Sequence, residues 1–375
     1  MNAAVWIFAG AAFFIVYTLF LYPLLLALLA RRFPRPVLRR FTPHTVTVLL
    51  PVFNGERYLA AKLDSLLAMD YPAGSMDIVV ISDGSTDRTA EIARCYADRG
   101  VRLLDVPHGG KALAINAGLA TAQGDLLFFT DVRQQMEPAC LRRLVECFAD
   151  PAVGAVSGEL CIRDGATLGE ANVGLYWKYE KWIRRRLSAI DSTIGATGCV
   201  YAMRRQLAAP LPAGCLLDDV YLPSLALLAG YRVLFEEGAR VYDVPSTLST
   251  EFRRKVRTLA GNYQLLFQLP RLFGSDNRLR VHFASHKLAR LLLPFALLAA
   301  LAATPWLPSP WPLICGVPQA AFYLLAAADL VIPEGNPIKR ISSPCRTFLV
   351  LMAASFCAAS ILFRPNARFW VPTRG

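Results

Sequence analysis

Residues 77–87 read Asp77-Ile78-Val79-Val80-Ile81-Ser82-Asp83-Gly84-Ser85-Thr86-Asp87, and this stretch decides the fold. A short, unbroken apolar run followed at once by a polar turn is the form of a strand buried on both faces, as in parallel sheets covered by helices. The turn, Asp-Gly-Ser-Thr-Asp, has helix-capping character. Working outward, the same form recurs, and it predicts strands at 46–52, 77–82, 101–106 and 125–131 with helices near 56–67, 87–97 and 111–122. This alternation defines an α/β unit, doubly wound around a mostly parallel sheet with flanking helices. Residues 132–250 are more mixed, and 251–287 turn basic, with Arg253, Arg254, Lys255, Arg257, Arg271, Arg278, Arg280 and Lys287.

The flanks are of a different kind. The chain has 375 residues, 55% of them hydrophobic, and a mean hydropathy of +0.38, against about 45–50% apolar in ordinary soluble domains. Residues 3–30 carry no charged side chain and are long enough to cross a hydrocarbon layer as a helix; Arg31, Arg32, Arg35, Arg39 and Arg40 follow. Met1-Asn2-Ala3 lacks the basic start of a cleaved signal, so 1–30 reads as a retained anchor with its C-terminal end in the cytoplasm. Three more apolar stretches lie at about 288–303, 313–332 and 347–363, of which the middle one reads as comfortably long enough to span, while the outer two are open to tilted, re-entrant or interfacial placement. Four crossings would put the tail, with Arg364, Arg368 and Arg374, outside, against the positive-inside tendency.

The net charge of +12 suits anionic lipid, nucleic acid or phosphorylated ligands, and the hydrophobic flanks favour lipid over nucleic acid. Nine cysteines without a CxxC pair and only four histidines argue against a disulfide scaffold and a zinc site. His282 and His286 are four apart but have no third ligand nearby.

Ligands of open parallel sheets collect outside the carboxyl ends of the strands, where Asp83 and Asp131 are predicted to lie. A carboxylate ending the apolar run 126–130 asks for a cation, such as a metal, as partner. Pro51-Val52-Phe53-Asn54-Gly55-Glu56 brings a helix N-terminus to the same edge, and His108-Gly109-Gly110-Lys111 would suit a phosphate. No GxxxxGK[ST] or GxGxxG occurs at these turns, which excludes a P-loop ATPase and a dinucleotide dehydrogenase.

Taken in order, Pro51–Glu56, Ser82–Asp87, Gly110-Lys111-Ala112-Leu113-Ala114-Ile115-Asn116-Ala117-Gly118 and Phe129-Thr130-Asp131 resemble the successive motifs of family 2 glycosyltransferases. The resemblance is tight over 46–131 and looser to about residue 265. It implies a GT-A (Rossmann-like) fold over 42–265, with the basic interfacial segment and membrane helices in 266–375. It implies an inverting enzyme using a nucleotide sugar, with a UDP-sugar as donor. Pro51, Phe53, Asn54, Glu56 and Thr130 would then belong to the donor site, Asp83 would contact the nucleobase, Lys111 the diphosphate region and Asp131 a divalent metal, Mg²⁺ or Mn²⁺. The family's Asp-x-Asp is incomplete here: Asp131-Val132-Arg133-Gln134 keeps one carboxylate, and Arg133 is a candidate for part of the missing positive charge.

Downstream, Leu217-Asp218-Asp219-Val220 stands where the family has Glu-Asp, so by that match Asp219 is the catalytic base, with Asp218 beside it. The other reading of the pair is a helix N-terminus stabilised by acidic residues. Arg254-Lys255-Val256-Arg257-Thr258 stands where chain-forming members carry Gln-x-x-Arg-Trp; the arginines suit a departing diphosphate, and the missing Trp argues against a processive polymerase. Ala196-Thr197-Gly198 resembles the small-residue loop lining the acceptor side, and Tyr176-Trp177-Lys178-Tyr179-Glu180-Lys181-Trp182 reads as a membrane-interface anchor or a sugar-stacking surface. The resemblance leads to a multi-pass protein of the cell inner (plasma) membrane with a cytoplasmic catalytic domain. It would transfer sugar to a lipid-linked or glycan acceptor in cell-envelope or extracellular polysaccharide synthesis. A processive synthase and a catalytically silent nucleotide-sugar-binding subunit are the alternatives.

Overall fold

The computed structural model describes residues 2–162, 168–243 and 248–363. One eight-stranded sheet organises the middle of the chain: β1 (Val46–Val52), β2 (Met76–Asp83), β3 (Val101–Val106), β4 (Leu126–Phe129), β5 (Gln135–Met136), β6 (Val153–Ile162), β7 (Tyr201–Arg204) and β8 (Arg232–Asp243), in the order β3-β2-β1-β4-β7-β6-β8-β5. The first four are parallel, with β1 between β2 and β4. The chain steps outward from β1 to β3 and then returns to the other side of β1, so β1 and β4 flank the switch point where such sheets bind ligands. The mixed half follows: β7 is antiparallel to β4 and β6, β8 is parallel to β6, and β5 is antiparallel to β8.

Alternate side chains of β1 enter two cores, as a strand's two-residue period requires. Val46, Val48, Leu50 and Val52 pack with Leu59, Leu63 and Leu66 of the Glu56–Leu67 helix. Leu49 and the β2 residues Val79 and Ile81 pack with Ala112, Ala114 and Ile115 of the Lys111–Thr121 helix. That helix lies close because residue 118 is glycine: a Cβ there would fall 2.5 Å from the Ile81 side chain.

Among the described residues, four helices are long and apolar enough to cross a membrane: Ala3–Arg32 (30 residues), Arg280–Trp306 (27), Trp311–Ala328 (18) and Lys339–Leu362 (24). This corrects the sequence reading of the C-terminal stretches. The two outer helices are the long ones, because each begins upstream of its apolar run in polar residues that continue the same helix. The middle helix is the shortest of the three. The first helix is fixed to the Leu168–Ile190 helix by Tyr22 and Leu26, which share a core with Ile183 and Leu187. Just past it, Arg35 reaches Asp191 at 2.6 Å, and Arg278 meets the same carboxylate at 2.8 Å. The tail arginines 364, 368 and 374 lie outside the described residues. All nine cysteines are free thiols.

Candidate active site

The turns after β1 and β2 interlock. Asn54 takes a left-handed backbone conformation, φ 50°, which Asn tolerates better than most residues. Its side-chain carbonyl accepts from the Thr86 amide at 2.8 Å while its own amide donates to Ser85 Oγ at 3.1 Å. Glu56 and Asp87 exchange backbone bonds: the Glu56 amide donates to Asp87 and the Arg88 amide donates to Glu56. Burial disfavours the Asp87 carboxylate, but the Thr89 hydroxyl and these amides outweigh it and hold its pKa below the ordinary value. Gly84, φ 64°, lets the loop at His108 close over the turn, since a Cβ would lie 2.6 Å from the His108 amide nitrogen. Asp83, 4% exposed, then receives the Gly109 amide at 2.8 Å and the Gly110 amide at 3.0 Å. The His108 ring covers Phe53, with centroids 4.4 Å apart.

At the switch point these turns open into a cleft of about 430 Å³, within the range of small-molecule sites. Lys111, at the first position of its helix, is the centre of its floor: Nζ lies 3.0 Å from Asp131 and 3.2 Å from Asp218. Burial would lower the Lys111 pKa, but Asp131, Asp218 and Asp219 outweigh it and hold the ammonium well above its usual range. Asp218 and Asp219 occupy the first turn of the Asp218–Leu228 helix, whose dipole favours negative charge there. The second oxygen of Asp218 is buried with no hydrogen-bond partner among the described residues. Burial, and the neighbouring Asp218, push Asp219 up to about 6 against the opposing pull of Lys111, Arg184 and Lys287. The Ala196 amide donates to the Asp219 carbonyl at 2.7 Å. Gly198 abuts the carboxylate, where a Cβ would fall 2.9 Å from Asp219 Oδ2.

Thirteen of the residues singled out in the sequence meet in this cleft: Pro51, Phe53, Asn54, Asp83, Lys111, Asp131, Ala196, Thr197, Gly198, Asp218, Asp219, Arg254 and Arg257 line it. Glu56 and Thr130 do not. Glu56 is occupied with the Asp87 turn. Thr130, 1% exposed, receives a bond from Lys62 at 2.7 Å and donates to the Cys199 carbonyl at 2.9 Å beneath the floor. Arg133 and Gln134 both turn to Asp243, at 2.5 Å and 2.8 Å. Arg254 lies 3.5 Å from Glu251. Burial lowers the Arg257 pKa, opposed chiefly by Asp131. Of the aromatic segment, Trp177 reaches the cleft, with Lys255 over its ring at 4.7 Å.

Four residues to which the sequence assigned no role in the site line it or support it from beneath. Lys62 is wholly buried, bonded to Thr130 and to the Gln134 carbonyl at 2.8 Å, and burial lowers its pKa to about 8. Glu180, Arg184 and Lys287 line the far wall. The spacing of four between Glu180 and Arg184 was the available signal for that pair. Nothing in the sequence separated Lys287 from the other residues of the basic stretch.

A parallel sheet opening at its switch point onto several carboxylates and a lysine at a helix N-terminus is the arrangement of a GT-A fold. Residues 47–209 match the family model described as glycosyl transferase family 2. The chain is 29% identical over 288 residues to an N-acetylglucosaminyltransferase of Rhizobium leguminosarum bv. viciae, covering 70% of this chain and 68% of the relative. It is 26% identical over 231 residues to the poly-beta-1,6-N-acetyl-D-glucosamine synthase of Staphylococcus aureus (strain COL), covering 60% of this chain and 56% of the relative, so it spans little more than half of that protein. The solved mannosyltransferase PcManGT from Pyrobaculum calidifontis, in complex with GDP-Man and Mn²⁺, shares the fold with a TM-score of 0.71 at 24% identity, covering 95% of this chain and 99% of that one. Residues 47–209, somewhat under half of the chain, thus resemble a glycosyltransferase family 2 domain.

Proposed function

We propose that the protein is a membrane-anchored, inverting transferase that moves a sugar from a nucleotide sugar, a UDP-sugar, to a hydroxyl of a lipid-linked or glycan acceptor. The observation that carries this reading is the convergence of Asp83, Asp131, Lys111 and Asp219 on one cleft. The acceptor hydroxyl lies at Asp219 beside the small-residue loop, and the carboxylate takes its proton as the oxygen attacks the anomeric carbon from the face opposite the leaving diphosphate. The bond from that carbon to the diphosphate oxygen breaks in the same displacement, and its electrons leave with the nucleoside diphosphate. Lys111 and Arg257 offset the negative charge that develops there.

A divalent ion fits the donor set in one way only. Among the described residues no group of three metal-ligating side chains exists, but the Asp131 carboxylate is 40% exposed at the cleft, and Mg²⁺ commonly takes one or two carboxylates with phosphates and water completing its shell. Asp131 would hold the ion, whose chemistry there is to neutralise the diphosphate.

The domain division follows the same reading: an N-terminal anchor over 1–30, a cytoplasmic GT-A domain over 42–265 and a C-terminal membrane part over 266–375, in a multi-pass protein of the inner membrane serving cell-envelope or extracellular polysaccharide synthesis. The four long apolar helices support it. A processive synthase is the second reading, favoured by the likeness to the staphylococcal synthase and opposed by Thr258 in place of an aromatic platform. The test is release of nucleoside diphosphate by the purified full chain from a panel of donors, headed by a nucleotide-activated N-acetylglucosamine, with and without EDTA. Turnover of a UDP-sugar that EDTA suppresses is expected; no release from any donor would refute the reading. Product length separates single transfer from polymerisation.

A further inference from the structure

The cleft that holds Asp219 is also walled by residues of the helices Leu168–Ile190, Leu248–Gln268 and Arg280–Trp306. The hub of this wall is Glu180, which lies 2.6 Å from Arg290, 3.5 Å from His286 and 3.5 Å from Arg184. Burial would favour the neutral acid, but Arg290, His286 and Arg184 hold the Glu180 pKa well below the usual carboxylate range, so it stays ionised. Lys287 belongs to the same wall, half-buried, and makes no ion pair or hydrogen bond among the described residues. Lys287 therefore adds a cation without a direct partner among those residues to a wall where Glu180 already pairs with Arg184 and Arg290. Holding such an excess of positive charge out of bulk water is unfavourable until an anion joins it.

The position of this excess matters more than its size. Lys111 lies against Asp131 and Asp218, whereas Lys287 shares its wall with the Glu180, Arg184 and Arg290 cluster. Asp219 lines the same cleft as both Lys111 and Lys287. The Lys111 group serves the donor diphosphate. The Lys287 group has no task in a transfer to a neutral hydroxyl. It is also tied to the acceptor side, because Arg184 donates to Thr197 Oγ1 at 2.9 Å, next to Gly198 and its contact with Asp219. Lys287 further belongs to the polar first turns of a 27-residue apolar helix, so an anion bound there would sit where a lipid chain can continue along apolar protein surface.

We propose that Lys287 and Arg184 form an anion subsite for the phosphate of a phosphoryl-linked lipid acceptor whose free hydroxyl lies at Asp219. This rests on the transferase reading above and deepens it by specifying the acceptor as an anionic ester. Charge-assisted contacts to a phosphate are the stronger class of hydrogen bond. No bond is made or broken at this subsite.

The test uses the purified full chain in neutral detergent with saturating UDP and Mg²⁺, and compares binding of farnesyl diphosphate with binding of farnesol. Wild type is expected to prefer the diphosphate by about tenfold or more. Lys287→Met removes most of that preference, Lys287→Arg keeps it, and UDP binding in both variants reports that the fold and the donor site are intact. Inorganic pyrophosphate that displaces the lipid diphosphate identifies the free anion as sufficient, and failure to displace identifies the lipid-borne anion; either supports the subsite. Equal binding of farnesyl diphosphate and farnesol by wild type, or a preference that survives Lys287→Met in a protein that binds UDP, overturns it. A wild type that prefers farnesyl diphosphate and does not bind UDP would keep the subsite and refute the UDP-donor reading instead.

Discussion

Asp219 carries its charge at a cost that the site makes useful. With burial and Asp218 pushing it up to about 6, it is ionised at neutral pH and still a competent proton acceptor. On the acid side kcat/KM is therefore expected to fall with an apparent pKa near 6, and Asp219→Asn to lower turnover by about 10²–10⁴-fold. The stability effect runs the other way. The folded-state pKa lies above the unfolded value, so the native state is favoured by protonation below the unfolded pKa and loses that advantage as pH rises through about 6. Removing the charge should raise stability at pH 7–8 by up to about 3 kcal/mol, with the gain vanishing below pH 4. Melting curves across pH check this, and an Asn variant that melts lower at pH 8 would contradict it. At this scale the sequence was legible where a residue type is demanded by a local motif: Asp83, Lys111, Asp131 and Asp219 all line the cleft. It was not legible where function depends on a partner far along the chain. Lys287 and Glu180 are brought to Asp219 only by the packing of long helices, and Lys62 looks from its neighbours like an ordinary solvent-facing lysine.

Among the elements, the turns after β1 and β2 act as one latch, and much of the motif that carries the family resemblance is its framework. Asn54, Ser85, Thr86 and Asp87 bond to one another across the two turns. Gly84 permits the latch to close on the 108–110 loop, because its φ of 64° and its 2.6 Å clearance to a backbone amide both exclude a side chain. Gly84→Ala is thus expected to displace the loop that supplies both amides to Asp83, costing about 1–3 kcal/mol of stability and weakening UDP binding. Denaturant unfolding and UDP titration read the two effects; a variant as stable and as tight as wild type would show the latch to be dispensable. The strand at 46–52 was legible to the residue because burial on both faces leaves an unbroken apolar run, while the edge strand at 101–106 and the helix at 56–67 were legible from apolar positions alternating with exposed polar ones. The C-terminal helices were not. Hydropathy marks the apolar part of a helix, whereas the backbone stays helical through Arg280–Leu288 and from Lys339 onward, where the residues are polar.

For the molecule as a whole, the switch point between β1 and β4 forms one side of the cleft, while the long helices line another. The Arg280–Trp306 helix contributes both apolar surface and Lys287, so catalytic and apolar parts share one wall rather than being joined by a linker. The class of fold was legible because the first half of the sheet is a regular repeat of strand and helix. The antiparallel pairing of β7 with β4 and β6 was not, because short strands from distant segments meet there through long-range contacts without a shared pattern. The most direct measurement is an experimental structure of the full chain with UDP and Mg²⁺. The account expects the diphosphate beside Lys111 and Asp131, the base near Asp83 and Phe53, and open space between the diphosphate and Asp219 for a sugar. UDP bound elsewhere, or bound with Asp219 on a face that a sugar on the diphosphate cannot reach, would contradict it.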